Sequence, residues 1–311
     1  MKNSIKVFAP ATVANVVCGY DVLGFAVDAP GDEVIMRLTS AKGINLSKIT
    51  GDDGRLPLNP EKNTVSASVQ HYLNHIGQPD LGIDIELHKK MPIGSGLGSS
   101  SASTVAGLFA INSLLGNKLQ NRDLVPFAMK GEELACGYGH ADNVAPALMG
   151  GFVLIRSYEP LDIISLPFPD DLHAAIVYPE VDVPTKDARQ MIRSKVLLKD
   201  AVTQWGNVAG LVSGLFLKDY ELIGRSMTDV LVEPTRAILI PEFYTLRQLA
   251  LEGGAIGFGI SGSGPSVFAL TKDADTAARI TEKLQGHLKN IAINSLSFVS
   301  QVNKKGPVII D

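Results

Sequence analysis

Short runs of alternating or continuously apolar residues recur along the chain and predict strands. The predicted strands are SIKVFA, EVIMRLT, GIDIELH, GFVLIRS, HAAIVYP, AIGFGIS and SVFALT. The stretches between them predict helices at about 63–76, 99–115, 121–136, 200–217, 219–231, 241–252 and 274–289. Strands and helices do not alternate regularly enough for a barrel, so the pattern indicates an α+β or α/β protein.

A proline-marked passage, SYEPLDIISLPFPDDLH, interrupts this pattern at about residues 157–172. Proline favours turns and loops over the interior of helices and strands. We therefore expect a domain boundary here, with a first domain over residues 1–160 and a second over residues 161–311.

The composition narrows the kinds of partner. The chain has 311 residues, 45% hydrophobic and 19% charged, which is ordinary for a globular protein. A net charge of -4 without a Lys/Arg run argues against nucleic-acid and anionic-membrane partners, since both require a basic surface. The best apolar run, residues 147–155, has about half the length of a membrane span, and the first residues do not resemble a secretory signal. We expect a cytoplasmic protein with small ligands.

The two cysteines, Cys18 and Cys136, are too few and too irregularly placed for a disulfide framework or a zinc site. We expect both thiols to be reduced and to behave as small hydrophobic side chains.

The stretch PIGSGLGSSSAS, residues 92–103, places three glycines and five serines directly before an apolar run that predicts a helix. Glycine lets backbone N–H groups turn toward a ligand, and a helix N-terminus adds further donors. We expect the serines to cap the helix and the Gly/Ser loop, residues 92–98, to bind phosphate. From these residues alone, a surface turn before a capped helix is an equally good interpretation. The spacing excludes a Walker loop and a dinucleotide-binding fingerprint.

Three further segments change this balance: APATVANVVCGYDVLGFAVD from residue 9, GHADNVAPALMGG from residue 139 and GISGSGPS from residue 259. With the Gly/Ser loop, PTKDAR and EPTR, they resemble, in content and in order, the motifs of the GHMP kinase superfamily. Within it the chain is similar to the homoserine kinases over essentially its whole length. The resemblance implies an α+β fold with an N-terminal ribosomal S5 domain-2-like domain, containing a left-handed βαβ crossover, and a C-terminal ferredoxin-like domain.

The resemblance implies an activity as well. It would be the ATP-dependent, Mg²⁺-requiring phosphorylation of the side-chain hydroxyl of L-homoserine to O-phospho-L-homoserine, on the route to threonine. Sugar and mevalonate kinases of the superfamily carry Lys or Arg shortly after the first Ala-Pro, whereas Ala9-Pro10-Ala11-Thr12 has no charge. Catalysis would therefore rest on positioning and charge neutralisation. A homodimer is a further expectation from the family. Another GHMP kinase or a non-catalytic sensor remain alternatives.

The expected substrate-binding residues come from three segments. Asn15 and Asp21 offer an amide and a carboxylate for an ammonium or hydroxyl group, and Thr185 belongs to PTKDAR. Arg189 and Arg236 would clamp an α-carboxylate, because a guanidinium binds a carboxylate through two parallel hydrogen bonds. Without the resemblance, an Asx-turn and surface ion pairs would be the simpler interpretation.

The expected catalytic residues lie in GHADN: His140, Asp142 and Asn143. These polar side chains form either an active-site rim or the N-cap of the helix that follows. Whether Asp142 accepts the substrate proton or holds a loop stays open.

Family resemblance assigns the metal to Ser100 and Glu132, with Glu133 as the alternative if the helix is turned by one residue. It also implies nucleotide contacts from Asn63, near the base, and from Ser261 and Gly262. The remaining expected nucleotide contacts form one continuous run: Pro92, Ile93, Gly94, Ser95, Gly96, Leu97, Gly98, Ser99, Ser100, Ser101 and Ala102.

Overall fold

A computed structural model describes residues 3–183 and 189–311, apart from the side chains of Ala135 and Cys136. The first elements are β1 (Ser4–Ala14), β2 (Leu23–Leu38), β3 (Ile44–Thr50), α1 (Thr64–His75), β4 (Ile83–His88), α2 (Ser99–Leu114), α3 (Asn121–Cys136), α4 (Ala141–Met149), β5 (Phe152–Tyr158) and β6 (Leu161–Leu166). The later elements are β7 (His173–Pro179), α5 (Leu198–Leu217), α6 (Tyr220–Ser226), α7 (Glu233–Arg236), α8 (Phe243–Glu252), β8 (Gly257–Ile260), β9 (Val267–Thr271), α9 (Ala274–Asn290), β10 (Ser295–Gln301) and β11 (Val308–Ile309).

The first sheet has the strand order β11-β1-β2-β4-β3, with β5 paired to β2 and β6 paired to β5. Its pairs are antiparallel except β3 with β4, which are parallel and joined through α1. A parallel pair requires such a crossover, because a tight hairpin can only reverse the chain. This βαβ unit is part of the expected N-terminal fold; the hand of its crossover stays a prediction.

The second sheet has the order β10-β7-β9-β8, and all of its pairs are antiparallel. Along the chain, β7 is followed by helices, then by β8, β9, α9 and β10. This βαββαβ order along the chain, with β7 and β9 at the centre of the sheet and β10 and β8 at its edges, is the ferredoxin-like arrangement. The predicted α+β class and the ferredoxin-like second part are therefore confirmed.

Helix α2 lies at the centre of the larger core. Its apolar residues are buried on every side, including Val105, Leu108 and Ile111, and it packs against β1, β2 and the helices α1, α3 and α4. A helix that is apolar all round is stable only when it is enclosed. Its N-terminus, directly behind the Gly/Ser loop, is consequently held in place by the whole core.

Several local expectations were wrong. Strands β3, β6, β10 and β11 were not predicted, β2 begins ten residues before the expected strand, and the helix expected over 219–231 ends at Ser226. That helix stops because the Asp229 side chain accepts hydrogen bonds from the backbone N–H groups of Leu231, Val232 and Glu233, which starts a new turn.

The expected boundary at residue 160 stays a prediction. Strand β6, directly after it, pairs with β5 in the first sheet, and the C-terminal β11 returns to pair with β1. Cys18 is buried and free, and the Cys136 side chain lies outside the described residues. Within the described ranges, no helix has both the length and the apolar composition to cross a membrane.

Candidate active site

A single cavity of about 1140 Å³ contains most of the expected site residues. Those that line it are Asn15, Asp21, Asn63, Ile93, Gly94, Ser95, Gly96, Gly98, Ser99, Ser100, Ser101, Glu132, His140, Asp142, Asn143, Arg189, Arg236 and Gly262. The lining does not include Leu97, Ala102 and Ser261, which are fully buried behind it, or Pro92. Thr185 lies outside the described residues. The sequence motifs thus converge on one site large enough for two small substrates.

The N-terminus of α2 opens onto this cavity without a side-chain cap. The expectation of a serine cap was wrong: the N-cap is Gly98, with φ 64°, and the helix begins at Ser99. A Cβ on Gly98 would lie 2.1 Å from Thr12 Oγ1, so a capping serine has no room there. Backbone N–H groups in the first turn of a helix have no partner within the helix, and together they favour an anion.

The Gly/Ser loop is held against the second glycine turn, residues 259–266. The Ser261 hydroxyl donates to Gly96 O at 2.8 Å, and a Cβ on Gly96 would lie 2.5 Å from Ser261 O and 2.7 Å from Gly264 O. Gly96 is therefore required by the contact between the two loops. At Gly94, by contrast, a Cβ would meet no atom within 4 Å, and this residue faces the open cavity.

Ser100 and Glu132 meet on the cavity wall. The Ser100 hydroxyl donates to Glu132 Oε1 at 2.9 Å and that of Thr104 donates to the same oxygen at 3.3 Å. Burial raises the pKa of Glu132. Glu133 instead pairs with Lys130 at 3.0 Å, and 44% of its side chain is exposed. Of the two glutamates, only Glu132 lines the cavity.

Asn15, Asp21, Arg189 and Arg236 form a second group, here called the acceptor cluster. Arg189 Nη2 donates to Asp21 Oδ2 at 2.7 Å, and Arg236 Nη1 donates to Gly262 O at 3.0 Å. The two arginines, 47 positions apart in the sequence, line the same cavity. Their role as a carboxylate clamp stays a prediction.

The ring of Tyr20 lies close to both arginines, and the ring of Tyr138 lies 5.4 Å from the guanidinium carbon of Arg189. The guanidinium carbons of Arg189 and Arg236 lie 5.7 Å and 5.0 Å from the centre of the Tyr20 ring. Both distances are within the range of cation–π attraction. The sequence interpretation missed Tyr20, because only the tertiary fold brings distant arginines onto its ring.

The loop that carries Asn15 and Asp21 has an unusual backbone. Residues Asn15, Val16, Val17 and Asp21 have φ values of 70°, 42°, 62° and 58°. Asn and Asp tolerate this left-handed region, but β-branched valines rarely adopt it. Asn15 closes the loop by accepting from Asp21 N at 3.0 Å and donating to Gly262 O at 2.8 Å. Such strain persists only where surrounding contacts enforce it, and it is commonest at functional sites.

The GHADN residues lie beside the acceptor cluster. Asp142 is buried, and burial followed by the negative charge of Asp21 raises its pKa to about 7. Burial lowers the pKa of His140, whose Nδ1 is 3.8 Å from Asp21 Oδ2. Asn143 Oδ1 accepts from the Thr12 hydroxyl at 2.7 Å, beside the Gly98 backbone. The three side chains thus connect the acceptor cluster to the start of α2.

Asn63 lies on the cavity wall with its amide already bonded. Its Oδ1 accepts from Val65 N at 3.1 Å and caps α1, and its Nδ2 donates to Pro57 O at 3.2 Å. The side chain therefore shapes the wall formed by Leu56 and Pro57. A direct contact from Asn63 to a nucleotide base stays a prediction.

A buried ion pair beneath the start of α2 was not predicted. Lys89 Nζ contacts Asp32 Oδ2 and also donates to Ser99 O at 2.8 Å and to Ser103 Oγ at 2.6 Å. The Lys89 side chain is only 2% exposed and that of Asp32 is fully buried. Charged residues such as Lys89 and Asp32 are usually exposed, and nothing in the sequence around them indicates that these two are buried together.

Comparison with known proteins agrees with this geometry. The GHMP kinase N-terminal domain matches residues 63–151, and the GHMP kinase C-terminal domain matches residues 211–290. A homoserine kinase of Chlorobium phaeobacteroides is 48% identical over 315 residues, covering 97% of this chain and 98% of the relative. The crystal structure of homoserine kinase from Cytophaga hutchinsonii has a TM-score of 0.97 and 59% identity, covering 100% of this chain and 98% of that one.

The fold, the cavity and both domain matches define a GHMP kinase. A homoserine kinase of Arabidopsis thaliana is 41% identical over 301 residues, which cover 93% of this chain and 81% of the relative. The chain belongs to the homoserine kinase family.

Proposed function

We propose that the protein transfers the γ-phosphoryl group of ATP to the side-chain hydroxyl of L-homoserine, giving ADP and O-phospho-L-homoserine in threonine biosynthesis. The observation that carries this proposal is the shared cavity, in which an uncapped helix N-terminus faces the same space as two arginines and an aspartate. Membership of the homoserine kinase family supports the choice of acceptor.

The phosphates of ATP would bind the Gly/Ser loop and the first turn of α2. The N–H groups there are donors without a side-chain cap, and the helix adds partial positive charge. Leu56, Pro57 and Asn63 form an adjacent part of the wall and would receive the base. This arrangement would position the transferred phosphoryl group, which is the main protein contribution in such reactions.

Ser100 and Glu132 would hold Mg²⁺. A hydroxyl and one buried carboxylate beside a phosphate site match the oxygen ligands that Mg²⁺ prefers, with phosphate and water completing the coordination. A bound Mg²⁺ would neutralise charge that develops on the phosphates. Glu132, whose pKa burial raises, would be stabilised in its ionised form by a cation at this position.

L-Homoserine would bind the acceptor cluster. Arg189 and Arg236 would receive the α-carboxylate, and Asn15 with Asp21 would receive the amino or hydroxyl group. Asp142, with a pKa raised to about 7, is suited to accept the hydroxyl proton near neutral pH. His140 and Asn143 would orient the acceptor, since they flank Asp142 on the cavity wall.

The direct test is ADP release with L-homoserine, together with phosphorus NMR of the product. Mevalonate, shikimate and galactose serve as alternative acceptors. We expect turnover with L-homoserine in the presence of Mg²⁺ and less than about 1% of that rate with the others, an order-of-magnitude expectation because all three lack the amino group and galactose lacks the carboxylate as well. Nucleotide binding without turnover of any acceptor would instead support a sensor. Light scattering in solution tests the expected homodimer, and fractionation of the source cell tests the cytoplasmic location.

A further inference from the structure

One side of helix α5 (Leu198–Leu217) is apolar and open to solvent. Its buried residues are Ala201, Gln204, Leu211, Gly214 and Leu215. On the opposite side, four large side chains are 56–71% exposed: Leu198, Val202, Trp205 and Phe216. Residues 201–217 contain no charged residue. The solvent side of a surface helix is normally charged or polar, so this side of α5 has the character of a contact surface.

The exposed apolar positions follow the spacing of a coiled coil. They are separated alternately by four and three positions, and we call them the α5 seam: Leu198, Val202, Trp205, Ala209, Val212 and Phe216. A period of 3.5 residues keeps one face of a helix against a second helix. Ala209 is exposed and Val212 is partly exposed, so the seam is accessible along the whole of α5. Its spacing fits a helix as the partner.

The inner side of α5 holds the seam in a fixed orientation. Gln204 donates to Cys18 O at 2.7 Å and accepts from Val230 N at 3.0 Å. A Cβ on Gly214 would lie 2.9 Å from atoms of Ile223, so α5 and α6 pack closely. A helix held in this way cannot rotate its apolar side into the core, and the seam is therefore ready-formed for a partner.

The exposed area is about what one partner supplies to a stable dimer. Leu197 and Leu217, beside the seam, are 61% and 67% exposed. An aromatic side chain alone buries about 150–250 Å² when it is enclosed, so the seam and these two leucines together offer on the order of 700 Å². A standard interface takes about 800 Å² from each partner. The largest apolar patch on a typical monomer is only about 300–600 Å².

A second copy of α5 complements the seam when the two helices run antiparallel around position 207. The positions that meet are then Leu198 with Phe216, Val202 with Val212 and Trp205 with Ala209. The largest side chain of the seam thus faces the smallest, whereas a parallel pair would set Trp205 against its own copy. Antiparallel helices also place opposite ends of their dipoles side by side. Because residues 201–217 are uncharged, the face meets itself without repulsion.

We propose that the protein forms a homodimer through an antiparallel pair of α5 helices, with the two-fold axis near residue 207. This interface gives the expected homodimer a location and an orientation. It does not depend on catalysis, so a failure of the proposed function and a failure of this interface are separate results. A lipid surface is the poorer occupant, because residues 201–217 carry no Lys or Arg for anionic head groups.

The first test is the association of the wild type. Trp205 is the single tryptophan of the chain, so tryptophan fluorescence reports on the seam alone. We expect sedimentation velocity to show a dimer with a Kd of about 1 μM or below, as is usual for an interface of this area. The emission should shift to shorter wavelength as the dimer forms. A monomer at every concentration up to about 100 μM would overturn the proposal. Binding of that monomer to phosphatidylcholine vesicles would assign the seam to lipid instead.

The location of the interface is tested with one charge. Val202→Glu would bury an unpaired carboxylate in each half of the interface, and we expect it to weaken the dimer at least about a hundredfold. The matched control is Tyr244→Glu near the start of α8, where the side chain is 61% exposed. It should change the Kd less than about threefold, the usual scale of an exposed substitution. Circular dichroism verifies that both variants are folded. An intact dimer in Val202→Glu would place the interface elsewhere and refute the proposal.

The antiparallel register is tested by exchanging two side chains. Trp205→Ala leaves a gap and Ala209→Trp sets two indoles against each other, so each should weaken the dimer about tenfold or more. The double variant Trp205→Ala/Ala209→Trp restores a large side chain opposite a small one and should recover most of the affinity. If the double variant is as weak as the two single effects combined, residues 205 and 209 do not meet across the axis. The antiparallel pair would then have to be abandoned.

Discussion

Asp142 illustrates how burial of a single carboxyl group opposes stability, at the residue proposed to accept the substrate proton. Its pKa is raised to about 7 from a model-peptide value near 4. Between these values the folded protein binds a proton that the unfolded chain does not. The stability contributed by the protonated carboxyl is complete below about pH 4 and is lost as the pH rises through 7.

We therefore expect Asp142→Asn to stabilise the protein above pH 7, by roughly 2–4 kcal/mol, because the amide is never charged. The gain should be small at pH 5 and should increase through pH 7. Thermal unfolding from pH 5 to 9 measures it. Turnover should fall at least a hundredfold, the usual contribution of general acid–base catalysis. A gain that does not depend on pH would show that burial does not perturb this carboxyl.

We expect the ring of Tyr20 to contribute to homoserine binding. Its ring lies under both arginines of the acceptor cluster, and each cation–π contact contributes roughly 0.5–2 kcal/mol. Tyr20→Leu should raise the homoserine KM about tenfold and leave the ATP KM unchanged, whereas Tyr20→Phe should behave like the wild type. Steady-state kinetics with each substrate varied separately measure this. An equal defect in both variants would mean that the hydroxyl, and not the ring, matters.

Most of the residues that the compact sequence motifs singled out line the cavity, and their roles stay predictions. The sequence could not choose between Glu132 and Glu133, because adjacent helical residues point about 100° apart and the choice depends on how α3 packs. In the structure, Glu133 forms an exposed ion pair with Lys130, three positions earlier, whereas Glu132 lines the cavity. Tyr20 and the pair Lys89–Asp32 gave no local signal, because their partners are remote in sequence.

At the scale of elements, α2 depends on the buried ion pair beneath its first turn. Removing one partner leaves an uncompensated charge in the interior, which costs about 3–5 kcal/mol. We expect Asp32→Asn to lower the free energy of unfolding by that amount in urea titrations. The control is Asp80→Asn, since the Lys42–Asp80 pair joins the same residue types but is 82% and 76% exposed. It should cost less than about 1 kcal/mol. Equal effects would contradict a supporting role for the buried pair.

The two loop glycines provide a matched comparison. Gly94 and Gly96 have nearly the same φ, 75° and 79°, so alanine strains the backbone equally at both. Only at Gly96 would the new Cβ meet backbone oxygens. We expect Gly96→Ala to unfold at lower temperature than Gly94→Ala, by several degrees, and Gly94→Ala to alter mainly the ATP KM. If both variants unfold at the same temperature, the contact between the two loops is not tight.

Element prediction succeeded where the apolar pattern was strong and failed where edges and turns weaken it. The four residues of β8 are buried, and its run was recognised. Strand β10 was missed because all but one of its seven residues are partly or fully exposed, as is usual at the edge of a sheet. Strand β6 was missed because prolines on both sides suggested a linker.

At the scale of the whole molecule, the chain does not complete one sheet before it starts the next. Strand β11 returns from the second sheet to the edge of the first, and Val27 pairs with Val302 between them. The expected division of the sequence at residue 160 stays a prediction, and by itself it does not predict this return of the C-terminal strand. The class of fold was predictable because the motifs identify it. The pairing of the C-terminal β11 with β1 becomes visible only in the three-dimensional structure.

One carbonyl oxygen joins the two halves of the cavity. Gly262 O accepts from Asn15 Nδ2 and from Arg236 Nη1, and Gly262 follows Ser261, which bonds to the Gly/Ser loop. A ligand that moves Asn15 or Arg236 must therefore also disturb the Gly/Ser loop, which would bind phosphate. Linkage makes such an effect mutual. Calorimetric titration should find that a non-hydrolysable ATP analogue changes the affinity for homoserine by the same factor as homoserine changes the affinity for the analogue, so each substrate reports the presence of the other.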